Sequence, residues 1–179
     1  MKQSELITAA LKGDATLVVK NARVVNVFTN EILEGDVALS EDTIIGVGKG
    51  FAAREEIDAG GAYLCPGFID AHVHIESSMV IPDSFSRVIM PHGTTTIIAD
   101  PHEIANVCGV AGVRAIYKLS DDLPLRVLFM MPSCVPAPPF ENSGATLTAE
   151  DMEQFMRKSR ILGLGEVMDA VSTINCSKD

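Results

Sequence analysis

The order of apolar and polar positions divides the chain into two regions with different periodicities. Between residues 16 and 62, short β-branched runs recur about every ten residues, separated by the turn residues Asn, Asp and Gly. These runs are Leu17–Val19, Arg23–Phe28, Gly35–Leu39 and Thr43–Gly48. They predict a small antiparallel β-unit. A short helix over residues 1–13, with Ser4 as N-cap and Gly13 at its end, is predicted to precede it.

After Tyr63 the apolar runs become continuous and recur every 30–36 residues. The four runs are Leu64–Ile69, Thr95–Ala99, Leu125–Met130 and Ile161–Met168, and helical patterns lie between them at Asp83–Met90, Ile104–Leu119 and Thr148–Lys158. Thr148 and Asp151 have the spacing of a helix N-terminal capping pair. Buried strands that alternate with helices predict an α/β fold with a parallel sheet. Four such units are half of a (β/α)8 barrel, and an open doubly wound sheet is the alternative.

The composition excludes several classes of protein. With 14 basic and 24 acidic side chains among 179 residues, the formal net charge is −10. This charge argues against nucleic acid or an anionic membrane surface as partner, because both attract clustered Lys and Arg. No segment has the pattern of a signal peptide or a membrane helix, which favours a cytoplasmic location. The cysteines are too widely spaced for a zinc motif and are expected to be reduced thiols in or near the core: Cys65, Cys108, Cys134 and Cys176.

The strongest candidate for chemistry is the segment from Pro66 to His74, which reads PGFIDAHVH. On a strand, residues two apart point to the same side, so His72 and His74 are predicted to project together. They follow the first apolar run of the α/β region, where such folds place their active sites. Paired imidazoles there suit a divalent metal ion. The alternative is a pair of half-buried histidines that hydrogen-bond to loops.

Two further groups of polar residues follow later strands. Asp100, His102 and Glu103 come directly after the second apolar run, where they could orient metal ligands or substrate. The alternative is a helix cap in which Asp100 is the N-cap and Glu103 completes the capping box. Glu166 lies at the end of the fourth run, where a carboxylate could bridge metal ions or could simply be a solvated acid.

Glu76 creates the sequence His74-Ile75-Glu76, the first half of the zinc nucleobase deaminase signature. The second half of that signature, Pro-Cys-x-x-Cys, does not occur in the sequence, because neither Cys134 nor Cys176 has a partner three residues away. That class of deaminase is therefore excluded. The sequence also contains no P-loop, nucleophile elbow or HExxH helix.

The segments around these residues resemble the amidohydrolase superfamily and, within it, the adenine deaminase family. The matching segments are Pro66–Met79, Asp100–Val107, Pro132–Pro136 and Gly163–Asp169. The resemblance implies that residues 1–62 belong to a composite β-sandwich domain. It also implies that residues 63–179 form about the first four βα units of a TIM barrel.

The same resemblance implies a metal-dependent aminohydrolase that converts adenine to hypoxanthine and ammonia. His72, His74 and Glu166 would be metal ligands, with Glu166 in place of the carboxylated lysine that bridges a binuclear centre in many relatives. The expected ion is Mn²⁺ or Fe²⁺, and the spacing does not exclude Zn²⁺. Glu76, His102 and Glu103 would contact substrate or move protons.

The sequence also departs from the family pattern. It has four histidines, none after Glu103, whereas relatives supply further histidine ligands and an aspartate after later strands. We therefore expect the N-terminal portion of such an enzyme, with little turnover alone. The expected protein partner is a second copy in a homo-oligomer, or a complementary chain that carries the later strands. The alternatives are another cyclic-amide or nucleobase hydrolase of the superfamily and a non-catalytic subunit.

Overall fold

The computed structural model describes residues 15–138 and 140–177. These residues form two compact units, the first ending at Pro66 and the second starting at Gly67. The helix predicted over residues 1–13, with Ser4 and Gly13, lies outside the described residues. Among the described helices, none is long and apolar enough to cross a membrane.

The first unit is a mixed five-stranded sheet. Its strands are β1 (Ala15–Asn26), β2 (Glu31–Ser40), β3 (Thr43–Gly48), β4 (Ala53–Asp58) and β5 (Tyr63–Leu64). The order is β3-β2-β1-β4, and β5 pairs with the later part of β1. The β1–β2 and β2–β3 ladders are antiparallel, as predicted. However, β4 and β5 run parallel to β1, because the chain crosses to the free edge of β1 after β3, so the prediction of an antiparallel unit is only partly correct.

One long strand, β1, replaces the two strands predicted at Leu17–Val19 and Arg23–Phe28. Its register against β2 shifts between Val19 and Ala22, and Asn21 within this bulge has a φ of 56°. The backbone N–H of Asn21 donates to Asp36 Oδ1 at 3.1 Å. The asparagine that predicted a turn therefore forms a β-bulge, in which the chain bends without leaving the sheet.

The second unit is a parallel sheet with helical connections. Its elements are β6 (Phe68–Val73), α1 (Pro82–Ile89), β7 (Thr94–Ala99), α2 (His102–Leu119), β8 (Arg126–Met131), α3 (Ala149–Met156), β9 (Ile161–Leu164) and α4 (Ala170–Ile174). The strands are parallel in the order β6-β7-β8-β9. A doubly wound sheet reverses its strand order at a switch point. The strictly sequential order therefore excludes that alternative for the four described strands.

The first strand of this unit begins later than predicted. The run Leu64–Ile69 is divided, since Leu64 pairs with β1 in the first unit and β6 begins at Phe68. The first unit thus reaches past residue 62. Pro66 lacks an N–H group for a ladder, and Gly67 packs so closely on Thr95 that a Cβ would overlap its side chain. The shift places His72 inside β6 and His74 directly after it.

The fourth strand, β9, covers only the first half of the predicted run Ile161–Met168. The N–H of Gly165 donates to the carbonyl of Met131, after which the chain leaves the sheet. The helix α4, which the sequence did not predict, follows and is capped by Asp169 Oδ1, an acceptor for Ser172 N–H at 2.9 Å. The predicted capping pair of α3 is confirmed, because Thr148 and Asp151 accept each other's backbone N–H.

The core of the second unit lies between the sheet and α1–α3. Ile97, Val127 and Phe129 alternate along β7 and β8 toward the helices, and all three are at most 2% exposed. Val113 of α2 and Phe155 of α3 cover them. The four cysteines lie outside this core: Cys65, Cys108 and Cys176 are exposed, Cys134 is half-buried, and all four are free thiols. Their predicted reduced state agrees with the structure, but their predicted core position is wrong.

Candidate metal centre

The two histidines of β6 meet at the carboxyl end of the parallel sheet. His72 Nε2 and His74 Nε2 are 3.1 Å apart, and the rings contact edge to face with centroids 4.8 Å apart. Asp70 Oδ1 accepts the backbone N–H of His72 at 3.1 Å, which fixes the backbone before the pair. The alternate spacing of a strand thus places both imidazoles on one side, as predicted.

Glu166 reaches the same point from the end of β9. Its Oε1 lies 3.4 Å from His72 Nε2 and 3.2 Å from His74 Nε2. Ser133, which follows β8, donates its hydroxyl to the carbonyl of Glu166 at 2.6 Å. This bond fixes the backbone at Glu166 although no regular ladder reaches it. The structure therefore brings Glu166 together with a histidine, His72, that lies 94 positions earlier in the sequence.

The three side chains could hold a divalent cation. One ligand atom from each lies within 4.8 Å of the others. Neutral imidazole nitrogen together with carboxylate oxygen is a donor set that Zn²⁺, Fe²⁺ and Mn²⁺ all accept. The chemistry of the residues present therefore fits a divalent metal ion, and it does not select one.

Glu103, in the first turn of α2, lies beside the Nδ1 side of the His74 ring, away from His72 and Glu166. Glu103 Oε2 lies 3.1 Å from His74 Nδ1, and its Oε1 accepts the hydroxyl of Ser77 at 2.6 Å. A carboxylate beside the free ring nitrogen of a metal-binding histidine fixes the ring and makes its other nitrogen more basic. The position of Glu103 is therefore suited to orienting His74.

Glu76 and His102 complete the group of predicted residues at this edge. Glu76 Oε1 accepts the N–H of Ile104 at 3.3 Å, which ties the 3-10 turn Ile75–Ser78 to α2. Its Oε2 is buried and has no hydrogen-bond partner among the described residues. His102 is the first residue of α2, and its charge acts on the neighbouring Asp100. All the predicted site residues thus lie at the carboxyl edge of the sheet.

The structure contradicts the helix-cap interpretation of Asp100. The N-cap of α2 is Pro101, and no side-chain hydrogen bond caps this helix. Asp100 is only 1% exposed, and both of its carboxylate oxygens are without a hydrogen-bond partner among the described residues. The sequence analysis placed Asp100 at this edge of the sheet, from its position directly after an apolar run, but it did not predict that the side chain is buried.

The negative charges at this edge change the proton affinities of the site. Burial alone would lower the pKa of His74, but the charges of Glu103, Asp100 and Glu166 outweigh burial and raise it above its ordinary value. Burial raises the pKa of Glu76 and of Asp100. In the absence of a cation, all three groups therefore hold a proton more tightly in the folded chain than in the unfolded chain.

We expect the metal-free chain to become more stable as the pH falls from about 7.5 to about 5.5. A raised folded-state pKa gives stability that is present below the ordinary pKa and lost as the pH rises through the raised one. The carboxylates with lowered pKa, Asp58 bonded by Asn21 and Asp169 bonded by Ser172, lose their contribution only at more acidic pH.

Thermal unfolding followed by circular dichroism in EDTA measures this effect. The unfolding midpoint is expected to be higher at pH 5.5 than at pH 7.5, and Glu76→Gln is expected to reduce the difference. A lower midpoint at pH 5.5 would contradict the assignment of the raised pKa values.

Comparison with known proteins agrees with this geometry. The sequence model described as "Amidohydrolase family" matches residues 63–173. The chain is 52% identical over 166 residues to an adenine deaminase of Geobacillus kaustophilus, covering 93% of this chain and 29% of that protein. It is 54% identical over 156 residues to an adenine deaminase of Clostridium acetobutylicum, covering 87% and 27%. The chain thus spans less than a third of the length of these relatives.

Solved structures with low sequence identity share the fold. An atrazine chlorohydrolase from Arthrobacter aurescens TC1, solved with zinc, has a TM-score of 0.60 at 15% identity, over 86% of this chain and 48% of that one. An N-acyl-D-glutamate deacylase from Bordetella bronchiseptica, solved with zinc, has a TM-score of 0.54 at 17% identity, over 84% and 38%. With the family model matching more than half of its residues and the histidine pair and Glu166 meeting inside that match, the chain belongs to the amidohydrolase family.

Proposed function

We propose that this chain supplies the metal-binding part of an adenine aminohydrolase, which hydrolyses adenine to hypoxanthine and ammonia. The observation that carries the proposal is the meeting of His72, His74 and Glu166 within 4.8 Å at one edge of the sheet. Identity of about 50% to adenine deaminases over most of the chain supports adenine as the substrate. His72, His74 and Glu166 are the proposed metal ligands.

The proposed architecture is the first half of a TIM barrel preceded by part of a β-sandwich. Sequential parallel strands with connecting helices are the arrangement that a (β/α)8 barrel repeats eight times. The site residues lie at the carboxyl ends of β6, β7 and β9, the edge at which barrels of this type place their active sites. The sheet of β1–β5 supports the sandwich part.

The proposed cofactor is Mn²⁺ or Fe²⁺, with Zn²⁺ retained as an alternative, in a binuclear centre. When bound, such an ion supplies Lewis acidity that makes water nucleophilic at neutral pH. The chain's own contribution is to hold the ion, through the two imidazoles and Glu166. The carboxylate of Glu103, beside His74 Nδ1, holds the His74 ring in its orientation.

Proton transfer is the second task of the site. Deamination replaces the amino group on C6 of adenine by oxygen, so the water oxygen loses both of its protons: one ends on ring nitrogen N1 of hypoxanthine and the other on the departing ammonia. We propose Glu76, His102 and Glu103 as the side chains that contact substrate or move these protons. Burial raises the pKa of the Glu76 carboxyl group, which favours its protonated form and suits it to carrying a proton.

The proposed partners are adenine and further protein. The net charge of −10 supports the absence of nucleic acid and anionic membranes as partners. On the edge strand β6, Phe68 and Ile69 are more than half exposed, as are Leu162 and Leu164 on the edge strand β9. Apolar side chains on sheet edges support association with a second copy or a complementary chain. Four free cysteines support the proposed cytoplasmic location.

A chimeric enzyme tests the proposal. In it, this chain replaces the matching part of the Geobacillus kaustophilus adenine deaminase, and ammonia release is measured from adenine, other aminopurines and cyclic amides in the presence of Mn²⁺. We expect turnover of adenine, loss of turnover in the His72→Asn variant, and little effect of His92→Asn, a histidine outside the site. A folded chimera that binds Mn²⁺ but hydrolyses a cyclic amide instead of adenine would refute the proposed substrate.

A further inference from the structure

The hydroxyl group of Ser77 contacts the carboxylate that lies beside the His74 ring. It donates to Glu103 Oε1 at 2.6 Å, and the other oxygen of the same carboxylate, Oε2, lies 3.1 Å from His74 Nδ1. The opposite ring nitrogen, His74 Nε2, faces Glu166 Oε1 at 3.2 Å. Ser77, Glu103 and His74 thus form a continuous series of polar contacts that ends at the candidate metal centre.

The backbone closes this series of contacts into a ring. His74 precedes the 3-10 turn Ile75–Ser78, and the N–H of Ser77 donates to the carbonyl of His74 at 3.2 Å. Ser77 is therefore tied to His74 by its backbone as well as through the carboxylate. A second bond, from the N–H of Ile104 to Glu76 Oε1 at 3.3 Å, joins the same turn to the first residues of α2. Two contacts thus hold the turn against the start of α2.

The Glu103 carboxylate needs a second contact to keep its orientation toward the ring. The Glu103 side chain is 42% exposed, so an isolated side chain at this position would be free to change rotamer. Neither Glu103 Oε2 nor His74 Nδ1 has a hydrogen bond to any other group among the described residues. A hydroxyl-to-carboxylate bond of 2.6 Å has the length of charge-assisted bonds, which are stronger than neutral ones. The Ser77 hydroxyl therefore restricts how the Glu103 carboxylate can turn.

The orientation of this carboxylate determines which nitrogen of His74 is free for a cation. A neutral imidazole carries one proton and binds a metal ion through the nitrogen without it. An ionised carboxylate only accepts hydrogen bonds, so Glu103 Oε2 beside Nδ1 favours the tautomer with its proton on Nδ1. The lone pair of Nε2, the nitrogen that faces His72 and Glu166, is then available to a metal ion.

We propose that Ser77 is a positioning residue of the metal centre. Its hydroxyl holds the Glu103 carboxylate against His74 Nδ1 and so keeps His74 Nε2 free for a divalent cation. Ser77 acts through Glu103 and is not itself a metal ligand. This inference rests on the proposed function in taking His74 as a ligand of the cation.

Mn²⁺ titration of the full 179-residue chain, with free Mn²⁺ measured by electron paramagnetic resonance, tests the inference. Ser77→Ala removes the hydroxyl that bonds Glu103, and we expect Mn²⁺ to bind about threefold to tenfold more weakly. Ser78→Ala, at the adjacent exposed position of the same turn, is the matched control and is expected to leave Mn²⁺ affinity unchanged. Ser77→Thr retains a hydroxyl and is expected to restore most of the affinity. Equal Mn²⁺ affinity of Ser77→Ala and Ser78→Ala would overturn the inference.

A double-mutant cycle shows whether Ser77 acts through Glu103. In the Glu103→Ala variant the serine has no carboxylate to hold, so adding Ser77→Ala is expected to cause no further loss of Mn²⁺ affinity. A merely structural role of the serine would weaken binding by the same factor in both backgrounds. Additive losses would therefore overturn the inference.

Nitrogen-15 NMR of the imidazole rings in EDTA, at about pH 9, gives a readout that does not depend on Mn²⁺. The His74 signals are identified by their loss in His74→Asn. We expect the His74 proton on Nδ1 in the original chain and in Ser78→Ala, and a mixture of both tautomers in Ser77→Ala. An unchanged tautomer in Ser77→Ala would overturn the inference. If the original chain binds no Mn²⁺, the proposed metal site fails, and the tautomer decides separately whether Ser77 positions His74.

Discussion

Replacing Glu166 by glutamine is expected to weaken Mn²⁺ binding to the chain by about 100-fold or more. The substitution preserves the length of the side chain but removes the negative charge whose oxygen lies 3.2 Å from His74 Nε2 and 3.4 Å from His72 Nε2. At an effective dielectric constant near 20, unit charges about 4 Å apart interact by about 4 kcal/mol. About 1.4 kcal/mol corresponds to a factor of ten in affinity. The free energy of a 100-fold loss in affinity is therefore smaller than the interaction energy of the lost charge.

Glu153→Gln is the control for this substitution, because Glu153 is exposed on α3 and is equally acidic. Isothermal titration with Mn²⁺ gives the affinities, and circular dichroism establishes that both variants remain folded. Equal Mn²⁺ affinity of Glu166→Gln and Glu153→Gln would show that the cation does not bind where the three side chains meet.

The regular part of the second unit follows from local patterns in the sequence. Apolar runs such as Thr95–Ala99 became strands within a residue of the predicted limits, because short continuous apolar runs are typical of the strands of parallel sheets. The capping pair of Thr148 and Asp151 formed as expected, since it satisfies backbone groups within a single turn. These features depend only on residues close together in sequence.

Features that depend on which strands pair with each other could not be predicted from local sequence patterns. Asn21 has the same turn preference in a bulge as in a hairpin, and only the ladder with β2 makes it part of β1. Leu64 joined the first sheet and Phe68 the second, because Pro66 and the packing of Gly67 on Thr95 separate them. The parallel direction of β4 likewise depends on which edge of β1 was free.

The candidate site likewise has some features that follow from local sequence and others that depend on the tertiary structure. His72 and His74 could be paired from their spacing alone, because side chains alternate along a strand. Glu166 could be placed with them because parallel strands end at a common edge. For Asp100 the sequence left a helix cap open as an alternative, because its context, Asp-Pro-His-Glu, also satisfies a local capping rule. Its burial beside Gly165 is a tertiary fact that the local pattern does not contain.

The substitution with the largest expected effect on stability is Phe129→Ala. Phe129 is fully buried on β8, its ring lies 5.4 Å from that of Tyr117 in α2, and its strand neighbours are Ala99 of β7 and Ile161 of β9. Removing a buried phenylalanine side chain costs about 3–5 kcal/mol, through lost transfer free energy and the cavity left behind. That is a large share of the roughly 5–15 kcal/mol that stabilises a typical domain.

Leu128→Ala is the matched control, since Leu128 is adjacent on the same strand but only partly buried on the opposite face. Urea unfolding is expected to show a much larger loss of unfolding free energy for Phe129→Ala than for Leu128→Ala. Because Phe129 packs where β8 meets β9, which leads to Glu166, the alanine variant is also expected to bind Mn²⁺ more weakly in proportion to its unfolded fraction. Equal stability of the two variants would mean that Phe129 is not part of the core. Packing between the sheet and the helices would then not be what holds together the segments that carry His72, His74 and Glu166.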